Sequence, residues 1–387
     1  MKNLKDVSLS MFNVETLGQV FTPSSIVSQM LSLRRNDGRI LEPSCGNGAF
    51  YKEIPNCVGI EIDPQHCPEG ALNMDFFDYP VTEKFDTIIG NPPYVRYQDI
   101  TAETKAKLKS ELFDERTNLY LFFIEKCINH LTDHGELIFI TPRDFLKATS
   151  SVRLNQFIFD RGTITDVIDL GDKNIFKGFN PNCIIFRFEK GNYSRVTNFT
   201  KQFTICNGQL LFTSNQYPLH FNDIFFVKVG AVSGADKYFE SEKYGTRDFV
   251  CSSTCKTGKT KRMIYNEPSP YLKKYKKELL KRKIRKFDES NWWMWGRNHY
   301  VSDEKRIYVN NKTRNPKPFF THESKDYDGS VLAIFPYNQN INLNRVCEML
   351  NKVNWEELGF VCDGRFLFSQ KSLEDAPLPV SFNEFIN

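Results

Sequence analysis

The tetrapeptide Asn91-Pro92-Pro93-Tyr94 points most directly to chemistry. Two consecutive prolines fix the backbone and stop a helix from starting. An asparagine before them can aim its side-chain carbonyl at one point, beside the main-chain carbonyl of Pro92. Two acceptors converging on one point suit a planar NH2, either an exocyclic amine or a primary amide. Tyr94 adds a flat face on which such a group can stack. On Pro-Pro alone, a rigid turn with a packed tyrosine is the simpler reading; the asparagine turns the balance toward a site.

A second group of residues precedes it. Glu42-Pro43-Ser44-Cys45-Gly46-Asn47-Gly48 reads as a turn that follows a strand and opens a helix. Its glycines let a ligand approach the backbone closely. The turn is neither GxGxxG nor a P-loop, which disfavours cradling of a polyphosphate. Nineteen residues on, Glu61 closes the strand in GIEID, where an acid can accept from both ribose hydroxyls. Asp75 can accept from an adenine amino group while Phe76 packs the ring. Close backbone, a ribose acid and an adenine acid describe an adenosine pocket without polyphosphate. S-adenosylmethionine fits that description better than NAD or ATP.

These residues need a scaffold, and the first half of the chain alternates as one. Arg39–Leu41, Asn56–Ile62, Phe85–Gly90, Gly135–Thr141, Ile164–Leu170 and Asn182–Phe188 read as strands; Asn118–Leu131 has the apolar period of a helix. Such alternation predicts an α/β fold, a doubly wound, mostly parallel sheet with helices on both faces and ligands at the carboxyl ends of the strands. After about residue 195 the segments become short, aromatic and irregular. A boundary in Gly191–Thr200 gives domains 1–195 and 196–387, the second mixed and partly β.

Composition bounds the rest. The chain has 387 residues, 40% hydrophobic and 25% charged, which excludes a mainly disordered or fibrous protein. No run of 18 apolar residues suggests a membrane span, and MKNLKDVSLSMFNVE lacks the apolar core of a secretory signal. The ten cysteines are scattered, as expected of a reduced cytoplasmic protein, and Cys251 and Cys255 are too isolated for a zinc site, so no metal is expected. The net charge of +4 hides an asymmetry: residues 1–250 carry −4 and 251–387 carry +8. Residues 256–286 alone hold 13 basic side chains against Glu267 and Glu278. Tyr271–Lys286 reads as a basic amphipathic helix with a seam of Leu272, Tyr275, Leu279, Leu280 and Ile284. By charge alone this is equally a polyanion-binding surface or a solvated lysine-rich face.

EPSCGNGAF, GIEID, DFF and NPPY, in this order and spacing, resemble S-adenosylmethionine-dependent methyltransferases that act on planar amino groups. The nearest match is the γ-class DNA N6-adenine methyltransferases of bacterial restriction–modification systems. Gly18–Pro23 (GQVFTP), NLYLFFIEK, GELIFITP and IFKGFNPNCIIFRF extend the resemblance over about residues 15–190. It implies a class I methyltransferase, Rossmann-like sheet, S-adenosylmethionine as cofactor, and a flipped-out adenine of double-stranded DNA as substrate. It further implies that the second domain recognises the target. Thr22, Glu42, Ser44, Cys45 and Gly46 would surround the methionine part; Glu61 would hold the ribose, Asp75 and Phe76 the adenine, and Phe123 its other face. Asn91, Pro92, Pro93 and Tyr94 would serve the substrate amine, with Asn91 also touching the cofactor. Phe176 would stack on the far face of the base, with Phe179 a possible substitute and a core phenylalanine the competing reading.

Given that catalytic half, the basic segment is expected to track phosphates through Lys259, Lys261, Arg262, Lys273, Lys274, Lys276 and Lys277. Arg297, Asn298, Arg314 and Arg365 are base-edge candidates by residue type only. Trp292, Trp293 and Trp295 suit a hydrophobic core. A nucleoid-associated monomer is expected, with any restriction endonuclease encoded separately. An RNA base methyltransferase, a protein glutamine N5-methyltransferase and a non-catalytic recognition subunit are the alternatives. The intact NPPY and paired acids argue against the last.

Overall fold

The computed structural model describes residues 21–113, 117–171, 176, 182–362 and 364–386. The chain divides into two compact units, Met1–Ser214 and Asn215–Asn387. In the first, seven strands form one sheet: β1 (Ile40–Glu42), β2 (Val58–Glu61), β3 (Leu72–Asn73), β4 (Phe85–Gly90), β5 (Leu131–Pro142), β6 (Gly162–Asp169) and β7 (Cys183–Lys190). Their order is β3-β2-β1-β4-β5-β7-β6, and only β7 runs against its neighbours. This is the doubly wound, mostly parallel sheet that the alternation predicted.

Successive strand residues face opposite sides, and here both sides are apolar, as a buried parallel sheet requires. Ile88, Leu137, Phe139, Ile184 and Phe186 meet helices α3 (Leu119–His130) and α4 (Val152–Arg161) on one face. Ile89, Ile138, Ile140 and Ile185 meet Val27 and Met30 of α1 (Ser24–Leu31), with Phe50 and Ile54, on the other. A short helix, α2 (Ala102–Lys107), follows the NPPY turn and is capped by Thr101, whose hydroxyl accepts from the Thr104 N–H.

The chain leaves β1 outward to β2 and β3, then crosses back to β4, which pairs with the other edge of β1. That reversal opens a crevice at the carboxyl ends of β1 and β4. Glu42 ends β1 and Gly90 ends β4, so the glycine turn and the NPPY turn leave from adjacent strands.

Three expectations are corrected. First, the glycine turn does not open a helix: residues 46–56 run as successive turns. Gly46 and Gly48 adopt left-handed φ values of +50° and +84°, and Pro55 removes an amide, so too few residues remain to nucleate a helix. Second, the boundary falls after Ser214, not within 191–200. Residues 196–213 form an antiparallel sheet of β8 (Val196–Thr197), β9 (Lys201–Cys206) and β10 (Gln209–Thr213) that fastens to the first unit. The Asn198 amide pairs with the Val167 backbone at 2.9 Å in both directions, and Asn155 of α4 donates to Gly208 O at 2.8 Å.

The second unit is mixed, as expected. Phe225–Val229, Val331–Pro336, Ile307–Asn310 and Phe319–Phe320 pair antiparallel in that order. Trp292 and Trp295 are buried; Trp295 stacks on Phe249 at 4.8 Å and donates from Nε1 to Ile264 O at 2.9 Å. The third correction concerns the basic segment, which is two short helices, Pro270–Lys273 and Lys276–Leu280. Like charges four apart, Lys273/Lys277 and Lys277/Lys281, disfavour one continuous helix. The buried Arg282 guanidinium donates to the carbonyls of Ser233, Leu279, Trp292 and Met294, which ties the chain to its neighbours instead. Leu272 and Leu279 are buried, but Ile284 at the end of the supposed seam is exposed.

Candidate active site

The turn after β1, the end of β2, the segment after β3 and the NPPY turn open into one cavity of about 810 Å³, its mouth included. Ser44, Gly46, Glu61, Asp75, Phe76, Asn91, Pro93 and Phe123 line it. Residues up to 79 positions apart in sequence thus meet where the sheet topology reverses.

Glu61 is tied to the glycine turn. Its Oε2 accepts from Gly46 N at 2.7 Å and its Oε1 from Asp63 N at 2.9 Å. Burial raises its pKa above the usual carboxylate value, and those two N–H groups oppose the rise. Asp75 caps the turn at Phe76–Asp78, with Oδ1 accepting from Phe77 N at 2.9 Å. Its Oδ2 accepts from Thr104 Oγ1 at 3.0 Å, and Lys107 Nζ lies 3.4 Å away.

Glu42 and Cys45 are buried and do not line the cavity, nor does Thr22. Burial, then the neighbouring Glu61, pushes the Glu42 carboxyl well above its usual pKa, against the backbone N–H groups of Tyr51 and Phe50. Its Oε2 has no hydrogen-bond donor among the described residues. A buried acceptor of this kind suits a cationic ligand group. Burial beside Glu42 and Glu61 also pushes the Cys45 thiol up, so it is no activated nucleophile.

The Asn91 side chain is oriented by Thr22: Nδ2 donates to Thr22 Oγ1 at 3.2 Å, so the acceptor end of the amide points away from Thr22. Ser44 Oγ donates to the Asn91 carbonyl at 3.3 Å, joining the glycine turn to NPPY. Tyr94 donates from its hydroxyl to Ile140 O at 2.8 Å, which fixes the ring against β5.

Two aromatic expectations change. Phe76 and Phe123 touch each other, with ring centroids 5.0 Å apart, so they form one wall and do not hold a ring between them. Phe176 is 3% exposed and packs in the core with Ile140 and Cys183, its ring 6.4 Å from Tyr94 and 68° from parallel. The two rings therefore meet edge to face and leave no parallel slot. Phe179 lies outside the described residues.

Three residues were missed by sequence reasoning. Thr104 and Lys107 reach Asp75 from α2; the start Thr101-Ala-Glu-Thr104, a cap signal seven positions after Tyr94, marks that helix. Lys126 of α3 donates to Phe77 O at 2.9 Å and Tyr79 O at 2.8 Å, with its Nζ 4.9 Å over the Phe76 ring. A lysine directly after the apolar run Leu119–Ile124 and Glu125 was the available signal.

Among the phosphate candidates, Lys259, Lys273, Lys274 and Lys277 are exposed. Lys261 pairs with Asp328 at 3.6 Å, Arg262 with Asp248 at 2.7 Å, and Lys276 with Glu289. Arg297 donates to Gly230 O at 3.1 Å and Asn298 accepts from Asn266 at 3.0 Å; both are exposed, as is Arg314, while Arg365 is half-buried. Among the described residues no helix is long and apolar enough to cross a membrane.

The chain is similar to known proteins. The type II methyltransferase M.HincII of Haemophilus influenzae is 32% identical over 189 residues, covering 46% of this chain and 38% of that protein. M.TthHB8I of Thermus thermophilus is 33% identical over 199 residues, 46% of each. The chain thus matches less than half the length of these relatives. The DNA complex of the type IIL restriction-modification enzyme MmeI has a similar fold, with a TM-score of 0.57, 11% identity, and coverage of 96% of this chain and 65% of that one. Residues 51–176, within the front unit, match the model of the Eco57I restriction-modification methylase family.

Proposed function

We propose that the protein is a DNA methyltransferase that transfers a methyl group from S-adenosylmethionine to the N6 amine of adenine. One observation carries the reading: Glu61, Asp75 and Asn91 line a single cavity at the switch point of the sheet. The donor set suits the cofactor. Glu61 would hold the ribose, Asp75 the adenine amine, and Ser44 and Gly46 the methionine part, with Glu42 buried behind that turn adding acidic character beneath it. When bound, S-adenosylmethionine supplies an electrophilic methyl group on a sulfonium.

The chain's own residues supply orientation. The adenine amine is a poor nucleophile because its lone pair is delocalised into the ring. The Asn91 side-chain oxygen and the Pro92 carbonyl would accept its two hydrogens and favour a tetrahedral nitrogen. Thr22 holds Asn91 in the amide orientation this needs. Positioning and electrostatics carry the catalysis, with no strong base and no cysteine adduct. A base in a duplex must flip out, at about a few kcal/mol, and be held by stacking. For Tyr94 and Phe176 to hold it, their rings must separate and turn parallel.

The basic second unit suits a polyanion, and the fold it shares with MmeI spans nearly the whole chain. The test is transfer of isotopically labelled methyl groups to unmethylated plasmid DNA, RNA and mixed protein, followed by digestion and chromatography. Label in N6-methyladenine from DNA is expected. Label confined to N4-methylcytosine, RNA or protein, or no label, would overturn the reading.

A further inference from the structure

Asp75 is held by more than its own turn. Its carboxylate has about four acceptor positions, and it can only accept while ionised. Phe77 N takes one at 2.9 Å, the Thr104 hydroxyl another at 3.0 Å, and Lys107 Nζ approaches the same Oδ2 at 3.4 Å. Lys107 is itself fixed between Asp78 at 2.7 Å and Glu103 at 3.1 Å. Both ends of the central contact are buried, Asp75 at 8% and Thr104 at 7% exposure. Thr104 also lines the cavity next to Asp75. The carboxylate therefore cannot rotate without breaking bonds on both oxygens, and what acceptor capacity remains has a fixed direction.

We propose that Thr104 and Lys107, on the helix after NPPY, are positioning residues that hold Asp75 so that the cavity selects purines bearing a 6-amino group. The inference rests on the cofactor reading above. The helix that follows the catalytic turn thereby also sets cofactor specificity. An acceptor fixed in direction rewards a donor at one place on the ring and gives nothing to a ring that lacks one. A carboxylate able to swing would spread that preference over several poses.

Calorimetric titration of the full-length protein separates this from a merely structural contact. The probes are S-adenosylhomocysteine and its 6-deamino analogue, which has hydrogen in place of the amine. The wild type should prefer the amino ligand by at least about tenfold, the scale of one hydrogen bond to a charged group. Thr104→Val keeps the shape and removes the hydroxyl; it should narrow the preference several-fold, mainly by weakening the amino ligand. Thr104→Ser should restore it. Lys107→Gln, which keeps most of the side-chain length and removes the charge, gives a second reading and should narrow the preference too. Equal weakening of both ligands in Thr104→Val would make the contact structural and overturn the proposal, as would an unchanged preference in both the Val and Gln variants. Wild-type binding without discrimination would overturn this inference alone. No binding of either ligand by the wild type would overturn the cofactor reading as well.

Discussion

Glu42→Gln tests the electrostatics of the site without any substrate. Burial holds the Glu42 carboxyl well above its ordinary pKa of 4.5. The folded protein therefore keeps a proton that the unfolded chain has already released at the same pH. The stabilisation is fully present below about pH 4.5 and is lost as pH rises through the folded-state value. Across that window one proton separates the two states, so Glu42 contributes a slope of about −1.4 kcal/mol per pH unit to the unfolding free energy. Glu61 is also raised by burial and adds a slope of the same sign. Glutamine keeps the shape and cannot ionise. The expected outcome is that Glu42→Gln becomes progressively more stable than wild type as pH is raised from 4.5, in urea unfolding of the ligand-free protein. The difference between the two proteins isolates this one group from the rest of the pH dependence. Cofactor binding should show the converse. A cation bound near Glu42 favours the ionised carboxyl, so at a pH where the free protein keeps Glu42 protonated, binding should release a proton in the wild type and less in the variant. Calorimetry in buffers of different ionisation enthalpy measures this. Parallel stability curves for the two proteins would refute the assignment of Glu42 as a strained buried acid.

The remaining predictions concern the division of labour. Glu61→Ala and Asp75→Ala should each weaken S-adenosylhomocysteine by roughly 1.5–3 kcal/mol, since each removes a charged acceptor; unchanged calorimetric affinity in both would dismiss the pocket. Asn91→Ala should abolish methyl transfer while cofactor binding survives. Thr22→Val should lower kcat about tenfold through loss of the bond that orients the Asn91 amide, with Thr22→Ser close to wild type. Neutralising Lys273, Lys274 and Lys277 should weaken cognate and unrelated duplexes alike. It should also reduce the slope of log affinity against log salt by about 0.9 per lost phosphate contact; an unchanged slope would mark that face as merely solvated.

What the sequence could and could not reveal follows from the range of the interactions. Phe85–Gly90 was legible to the residue because its buried Ile88-Ile89 pair is apolar on both faces and the strand then stops at a turn. The NPPY turn needed no partner to be read, because prolines impose their geometry locally. β3 was missed because Leu72 and Asn73 are exposed and form no apolar run; only pairing with Ile60 and Glu61 makes them a strand. The basic segment had a helical period, but the Arg282 guanidinium, bound to carbonyls as far back as Ser233, outweighs a period that gains little from lysines repelling one another. The packing of the aromatic residues was illegible for a related reason. Residue type shows that Phe76, Phe123, Tyr94 and Phe176 can stack on a ligand, but only the fold shows that they pack against each other, tilted or edge to face. The bond from Thr22 to Asn91 spans 69 positions, and that from Thr104 to Asp75 spans 29. The first joins an expected cofactor residue to an expected substrate residue. The second brings in a residue that no motif marks. Residues that touch a ligand belong to short local motifs, whereas those that aim them come from elements brought near by the fold. A site read from sequence is therefore legible in its chemistry before it is legible in its orientation, and the variants that separate the two are those at Thr22 and Thr104.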